Sequence, residues 1–146
     1  MTITKFVKGV LVDKTTQVQK IDLGKISETE IKSIQEKLGL DLTNFQRILD
    51  NSGIKHTFKK HGNAKTEEPR GQIAIVPSDF EKILEIVQNP DLVEYVGKNR
   101  IGNDLILYEK NFENILCYVE GLRESRKKQR KEAYLETFYI KKSSKN

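Results

Sequence analysis

The chain of 146 residues has no tryptophan, one methionine and one cysteine. A single thiol cannot build a disulfide framework, so the fold must rest on an ordinary hydrophobic core, and a reducing compartment suits it. Cys117 sits inside an apolar, strand-like run and reads as a small core residue rather than a nucleophile. Nowhere do about 18 apolar residues follow one another, which argues against a membrane-spanning helix. The opening "MTITKFVKGVLVDKTTQ" also lacks the apolar block of a signal peptide, and a cytoplasmic location is the expectation. Aromatic residues make up only 8%, which disfavours a single-strand binder built on base stacking. Histidine is scarce too: there are two, with no cysteine or acidic cluster at ligand spacing beside them, so neither a metal site nor a cofactor is expected.

What the chain does have is positive charge. Twenty-six Lys and Arg against 21 Asp and Glu give a net charge of +5, a surface biased towards anionic partners such as nucleic acid or an acidic protein. The 36% hydrophobic content is enough for one core and one domain at this length.

Along the chain, "KFVKGVLVD" and "TQVQKID" read as two short strands joined by the polar turn 13–16, a small N-terminal β-hairpin. In "SETEIKSIQEKLG", Ser27 and Glu30 form a capping-box pair, Ile31, Ile34 and Leu38 keep helical spacing, and Gly39 stops the helix. "LTNFQRILDNSG" places Leu42, Phe45, Ile48 and Leu49 on one helical face and ends at Gly53. A third helical piece spans 54–61, and "PSDFEKILEIVQNP" repeats the capping signature with Ser78 and Glu81. The period then changes. "DLVEYVG", "DLILYEK", "NILCYVEGLR" and "AYLETFYIKK" are β-branched and aromatic runs separated by short polar segments, the pattern of an antiparallel meander. Helices followed by strands predict an α+β domain, with helices packed on one face of a four-stranded sheet.

Both histidines lie in "IKHTFKKHGN". On a helix over 54–61, Ile54, Phe58 and His61 share a face, whereas His56 lies about 200° around from Ile54. Gly62 would end that helix and leave His61 in its last turn, where the carbonyl end favours a protonated imidazole, a proton donor or a phosphate contact. A histidine on an apolar stripe is equally readable as a hydrogen-bonded core residue, and His56 on the lysine-rich side as a solvated one. A second cationic cluster occupies 121–131, with Arg123, Arg126, Lys127, Lys128, Arg130 and Lys131. In the last run, Ala133, Leu135, Thr137 and Tyr139 alternate onto one face, which sets the hydroxyls of Thr137 and Tyr139 about 7 Å apart.

Taken in order, "IKHTFKKHGN", "EEPRGQIAI", "YEK" and "YVEGLRESRKK" with "LETFY" resemble a phage-associated branch of the barnase, EndoU, colicin and RelE superfamily of metal-independent ribonucleases and toxins, over roughly residues 43–142. The resemblance implies N-terminal helices, a four-stranded antiparallel sheet, and a sheet cleft that acts on RNA. Carried onto this chain, it assigns catalytic roles to His61, His56, Arg123, Arg126, Thr137 and Tyr139, and matches Glu120 to the segment that holds the arginines. Lys60, Lys127, Lys128, Arg130 and Lys131 are then the RNA phosphate contacts. The chain divides on this reading into an N-terminal hairpin extension (1–26), a nuclease domain (27–142) and a disordered tail (143–146). The partners expected are RNA, with tRNA among the candidates, and an acidic inhibitor or immunity protein.

RNA carries its own nucleophile. Cleavage by the 2′-OH needs a base, an acid for the leaving 5′-oxygen, and cations for the charge on the phosphorane, and it yields a 2′,3′-cyclic phosphate. Histidine, arginine and hydroxyl side chains supply these without a metal. Two other readings remain open: a non-catalytic nucleic-acid-binding module, and a phage protein-interaction module on the same fold.

Overall fold

The computed structural model describes residues 2–15 and 17–143. The tail expected over 143–146 therefore lies, beyond Ser143, outside the described residues.

The first departure from expectation is at the start. Residues Ile3–Val12 form helix α1, capped by the Thr2 hydroxyl accepting from the Lys5 N–H, and not the first strand of a hairpin. Strand propensity is overridden here by packing: Val7 and Val10, one helical turn apart, are buried, and Thr4 donates to Glu81 through both its N–H and its hydroxyl. The second expected hairpin strand exists as β1 (Lys20–Lys25), but it pairs antiparallel with β2 (Gln46–Asp50).

Helix α2 (Glu28–Leu38) carries the reciprocal Ser27 and Glu30 capping bonds and ends at Gly39 in the left-handed region, φ 71°. The next segment is a correction: 46–50 is strand, not helix. Its true period is two. Arg47 and Leu49 turn to the covered side of the sheet, where Arg47 meets Glu120 and Leu49 joins the core, while Asp50 meets Arg123 on the other side. Helix α3 (Asn51–His61) follows without a break, its N-terminus capped by Asp50 accepting from the Gly53 N–H at 2.8 Å. A short helix α4 (Ala64–Glu67), a 3₁₀ turn (Glu68–Arg70) and strand β3 (Gln72–Ile73) come next. The helix expected from Ser78 begins instead as a 3₁₀ segment at Pro77, where Asp79 accepts from the Val76 N–H, and continues as α5 (Ile83–Gln88).

Strands β4 (Leu92–Lys98), β5 (Asp104–Asn111), β6 (Ile115–Ser125) and β7 (Arg130–Lys141) pair successively antiparallel. They do not make up the whole sheet. It has seven strands, in the order β1-β2-β7-β6-β5-β4, with β3 also on β7, so the four-stranded sheet expected is too small. The two terminal strands each carry an irregularity, at Asp22/Gly24 in β1 and Tyr95/Lys98 in β4, where Gly24 and Gly97 have φ of 102° and 94°.

One face of the sheet is covered. Ile106, Tyr108, Leu116, Tyr118, Ala133, Leu135, Phe138 and Ile140 meet Ile34, Ile54, Phe80, Ile83 and Ile86 there. The core residues of β7 are odd-numbered up to Leu135 and even-numbered from Phe138. A β-bulge explains the switch: Leu135 pairs with Glu120 but Thr137 with Val119, leaving Glu136 as the extra residue. Ala133 and Leu135 therefore do not share a face with Thr137 and Tyr139, against the simple alternation. Among the described residues, no helix is long and apolar enough to cross a membrane.

Candidate active site on the open face of the sheet

β2 pairs with β7 only at Gln46 and Arg47, and β3 only at its far end, so α3 fills the gap along that edge. The fit is backbone-close: a Cβ on Gly53 would collide with the Leu135 carbonyl oxygen. The first half of α3 is thereby held rigidly against the bulged part of β7. A cleft of about 360 Å³ opens there, within the roughly 300–1,000 Å³ range of small-ligand sites. Its walls are the start of α3 with Ser52 and His56, the β4–β5 loop with Arg100 and Ile101, and the bulge with Glu136. Arg123 and Tyr134 also line it.

The two histidines part company. Five residues at about 100° each put their rings about 140° apart on α3. His56 is exposed and lines the cleft. His61 is buried, with Nδ1 3.2 Å from the fully buried Glu67 carboxylate and its ring 5.2 Å from that of Tyr139. Arg70 approaches the other Glu67 oxygen at 3.8 Å.

Arg123 donates from Nε to Glu132 (3.0 Å) and from Nη2 to Asp50 (3.3 Å), and its guanidinium carbon stands 4.6 Å from the Tyr134 ring centroid. Two carboxylates fix the fork without exhausting it, since a guanidinium has five donors. Burial works to raise the Glu132 carboxyl, but hydrogen bonds from Lys20 and Arg123 outweigh it and hold the group below its ordinary range. Asp50 is committed twice, to the Gly53 N–H and to Arg123. Glu136 is freer: among the described residues its carboxylate accepts one hydrogen bond, a 3.4 Å contact from the Asn99 amide.

The remaining expected residues scatter. Arg126, Lys127 and Lys128 sit on the exposed tip of the β6–β7 hairpin. Lys128 and Arg130 line a second groove that shares Arg123 with the cleft and adds Lys20. Lys131 pairs with Glu124 at 3.8 Å and covers the Phe45 ring, and Lys60 is exposed on α3. Glu120 is fully buried on the covered face, bonded to Arg47 and Tyr108, and belongs to the core. Thr137 and Tyr139 do not line the cleft. Among the described residues the buried Thr137 hydroxyl has no hydrogen-bond partner, and burial beside Cys117 and Glu109 pushes the Tyr139 phenol up to about 12. Burial likewise raises the Cys117 thiol to about 12, so it stays protonated at neutral pH.

Ser52, Asn99, Arg100, Tyr134 and Glu136 line the cleft without being singled out by any motif the sequence displays. The Asn- and Gly-rich "KNRIGN" between two strands was the one available signal, because polar loops at strand ends are where sites are built. Among the described residues, no three His, Cys, Asp or Glu side chains gather as metal ligands.

A protein-family model described as phage-Barnase-EndoU-ColicinE5/D-RelE like nuclease3 matches residues 24–146. No curated protein and no solved structure matches the chain.

Proposed function

Because the chain belongs to the phage-Barnase-EndoU-ColicinE5/D-RelE like nucleases, we propose that it is a metal-independent endoribonuclease whose reaction takes place in the cleft between α3, the β4–β5 loop and the bulge of β7. The observation that supports this most is the company His56 keeps: an exposed imidazole shares one cleft with Arg123, Arg100 and the carboxylate of Glu136. Cleavage by the 2′-OH needs two proton carriers on either side of one phosphate and a cation on its oxygens. Of the carriers lining the cleft, Asp50 is tied into the α3 cap and the Arg123 pair, which leaves His56 and Glu136. Arg123, oriented by Asp50 and Glu132, is the group for the developing phosphorane charge. Arg100 on the opposite wall is a second candidate for the phosphate.

In this reading one of His56 and Glu136 removes the 2′-OH proton, the oxygen attacks phosphorus, and the other protonates the departing 5′-oxygen. The groove with Lys20, Lys128 and Arg130 extends the cationic track for the RNA strand beyond the reacting linkage.

The test is cleavage of a labelled RNA in EDTA with end-group analysis and a kcat–pH profile. Cyclic 2′,3′-phosphate ends and a bell-shaped profile are expected, with His56→Ala removing one limb and Glu136→Gln the other. Activity lost in EDTA and regained with a divalent ion would sink the proposal.

A further inference from the structure

We infer that the hydroxyl of Tyr134 donates a hydrogen bond to a non-bridging oxygen of the scissile phosphate; this rests on the ribonuclease reading of the same cleft. Asn99 is the hub of the β4–β5 loop. Its side-chain oxygen accepts from the N–H groups of Ile101 (3.1 Å) and Asn103 (3.0 Å), which fixes which end of the amide is oxygen. The amide nitrogen must then face the other way, and it donates to the Tyr134 hydroxyl at 2.8 Å. The Asn103 amide donates to the same oxygen at 2.9 Å. A phenol oxygen that accepts from two amides can still donate its own hydrogen. Among the described residues that hydrogen has no acceptor, although Tyr134 is only 7% exposed and lines the cleft.

The ring cannot serve as a stacking platform instead. It rests on Gly121, where a Cβ would collide with its hydroxyl end, and the Arg123 guanidinium stands over it. Only the hydroxyl is left to meet substrate, and it does so beside Arg123. A fixed neutral donor next to a fixed cation is the arrangement that stabilises a charge developing on phosphate oxygens at no cost of reorganisation. The tyrosine thereby takes the role that the family resemblance assigns to Thr137 and Tyr139, which lie beyond the bulge.

The test compares wild type with Tyr134→Phe, which keeps the ring contacts, on RNA carrying one cleavable linkage as the oxygen form or as either phosphorothioate diastereomer. Affinity for the matching 2′-deoxy oligonucleotide is measured alongside. The expected result is a fall in kcat of about 10²-fold, with the thio effect of one diastereomer present in wild type and absent in Tyr134→Phe. Asn103→Ala, which keeps the hydroxyl, should retain that thio effect. Equal kcat in wild type and Tyr134→Phe, or thio effects unchanged by the substitution, overturns the assignment. If wild type cleaves no RNA, the ribonuclease reading fails on its own. The contact is then decided by the binding arm: weaker binding of the deoxy oligonucleotide by Tyr134→Phe supports it, and equal affinity overturns it.

Discussion

Strands β2 and β6 build two arginine clusters, one on each face of the sheet. On the covered face, Arg47 donates to Glu120 at 2.6 and 3.1 Å and to Glu30 at 2.8 Å, with 3% of its side chain exposed. Three residues further along each strand, Asp50 and Arg123 form the open-face cluster, with 39% of the Arg123 side chain exposed. The partners are of the same kind in both places. What differs is whether anything else can reach the guanidinium. Arg47 is closed in, and although burial works against its charge, Glu120 and Glu30 raise its pKa further; it can only hold strands together. Arg123 has the same anchoring and an open side, so its charge is available to a ligand. In this fold, burial rather than residue type separates the arginine that is closed off from the one left open to a ligand.

The sharpest way to break that comparison is to remove each arginine. Arg47→Ala leaves two buried carboxylates uncompensated and should cost about 3–5 kcal/mol in urea unfolding, a large part of a typical domain's roughly 5–15 kcal/mol. Arg123→Ala should cost about 1 kcal/mol or less in stability while kcat falls about 10²-fold or more. The reverse pattern, with Arg123 the stability residue, would abolish the distinction.

The histidines repeat the contrast on one helix. His56→Ala should lower kcat about 10²-fold or more with the thermal midpoint unmoved. His61→Ala removes the hydrogen-bond partner of the buried Glu67 carboxylate, leaving it Arg70 at 3.8 Å, and should cost about 1–3 kcal/mol, with kcat per folded molecule nearly unchanged. Equal losses of kcat in the two variants would place both imidazoles in the chemistry and undo the contrast.

The smallest effect sharpens the edge of the open region. Replacing Lys128 and Arg130 with Gln should weaken RNA binding evenly across sequences and reduce the salt slope by about 0.7 for each phosphate no longer neutralised. Salt titrations of both proteins on one RNA read this directly; an unchanged slope would confine the cationic track to the cleft itself.

Much of this organisation was legible in the sequence where local rules suffice. The capping pair Ser27 and Glu30, the stop at Gly39 and the four C-terminal strands are set by nearest neighbours. Three features depend on partners far along the chain. Residues 3–12 become helix because that helix packs on the 77–82 segment, with Val7 and Val10 buried and Thr4 bonded to Glu81, and 46–50 become strand where Arg47 pairs with Glu120. The bulge at Glu136 breaks the period-two pattern that placed Leu135, Thr137 and Tyr139 together. The cleft inherits that opacity: His56 and Arg123 stand out as residue types, and alternation puts Tyr134 and Glu136 on one face of β7, but no spacing announces that α3 and the β4–β5 loop close on that face.

Both outer strands of the sheet contain a glycine with positive φ at a break in pairing, Gly24 in β1 and Gly97 in β4. A terminal strand is a row of unused hydrogen-bonding groups, open to a strand from any neighbouring molecule. A kink in each row, with lysines at Lys20, Lys25 and Lys98, spoils the template for continuous self-pairing. Tyr95 and Val96 are exposed on such an edge, and the bends leave them without the straight backbone row that a second sheet edge would need to pair along.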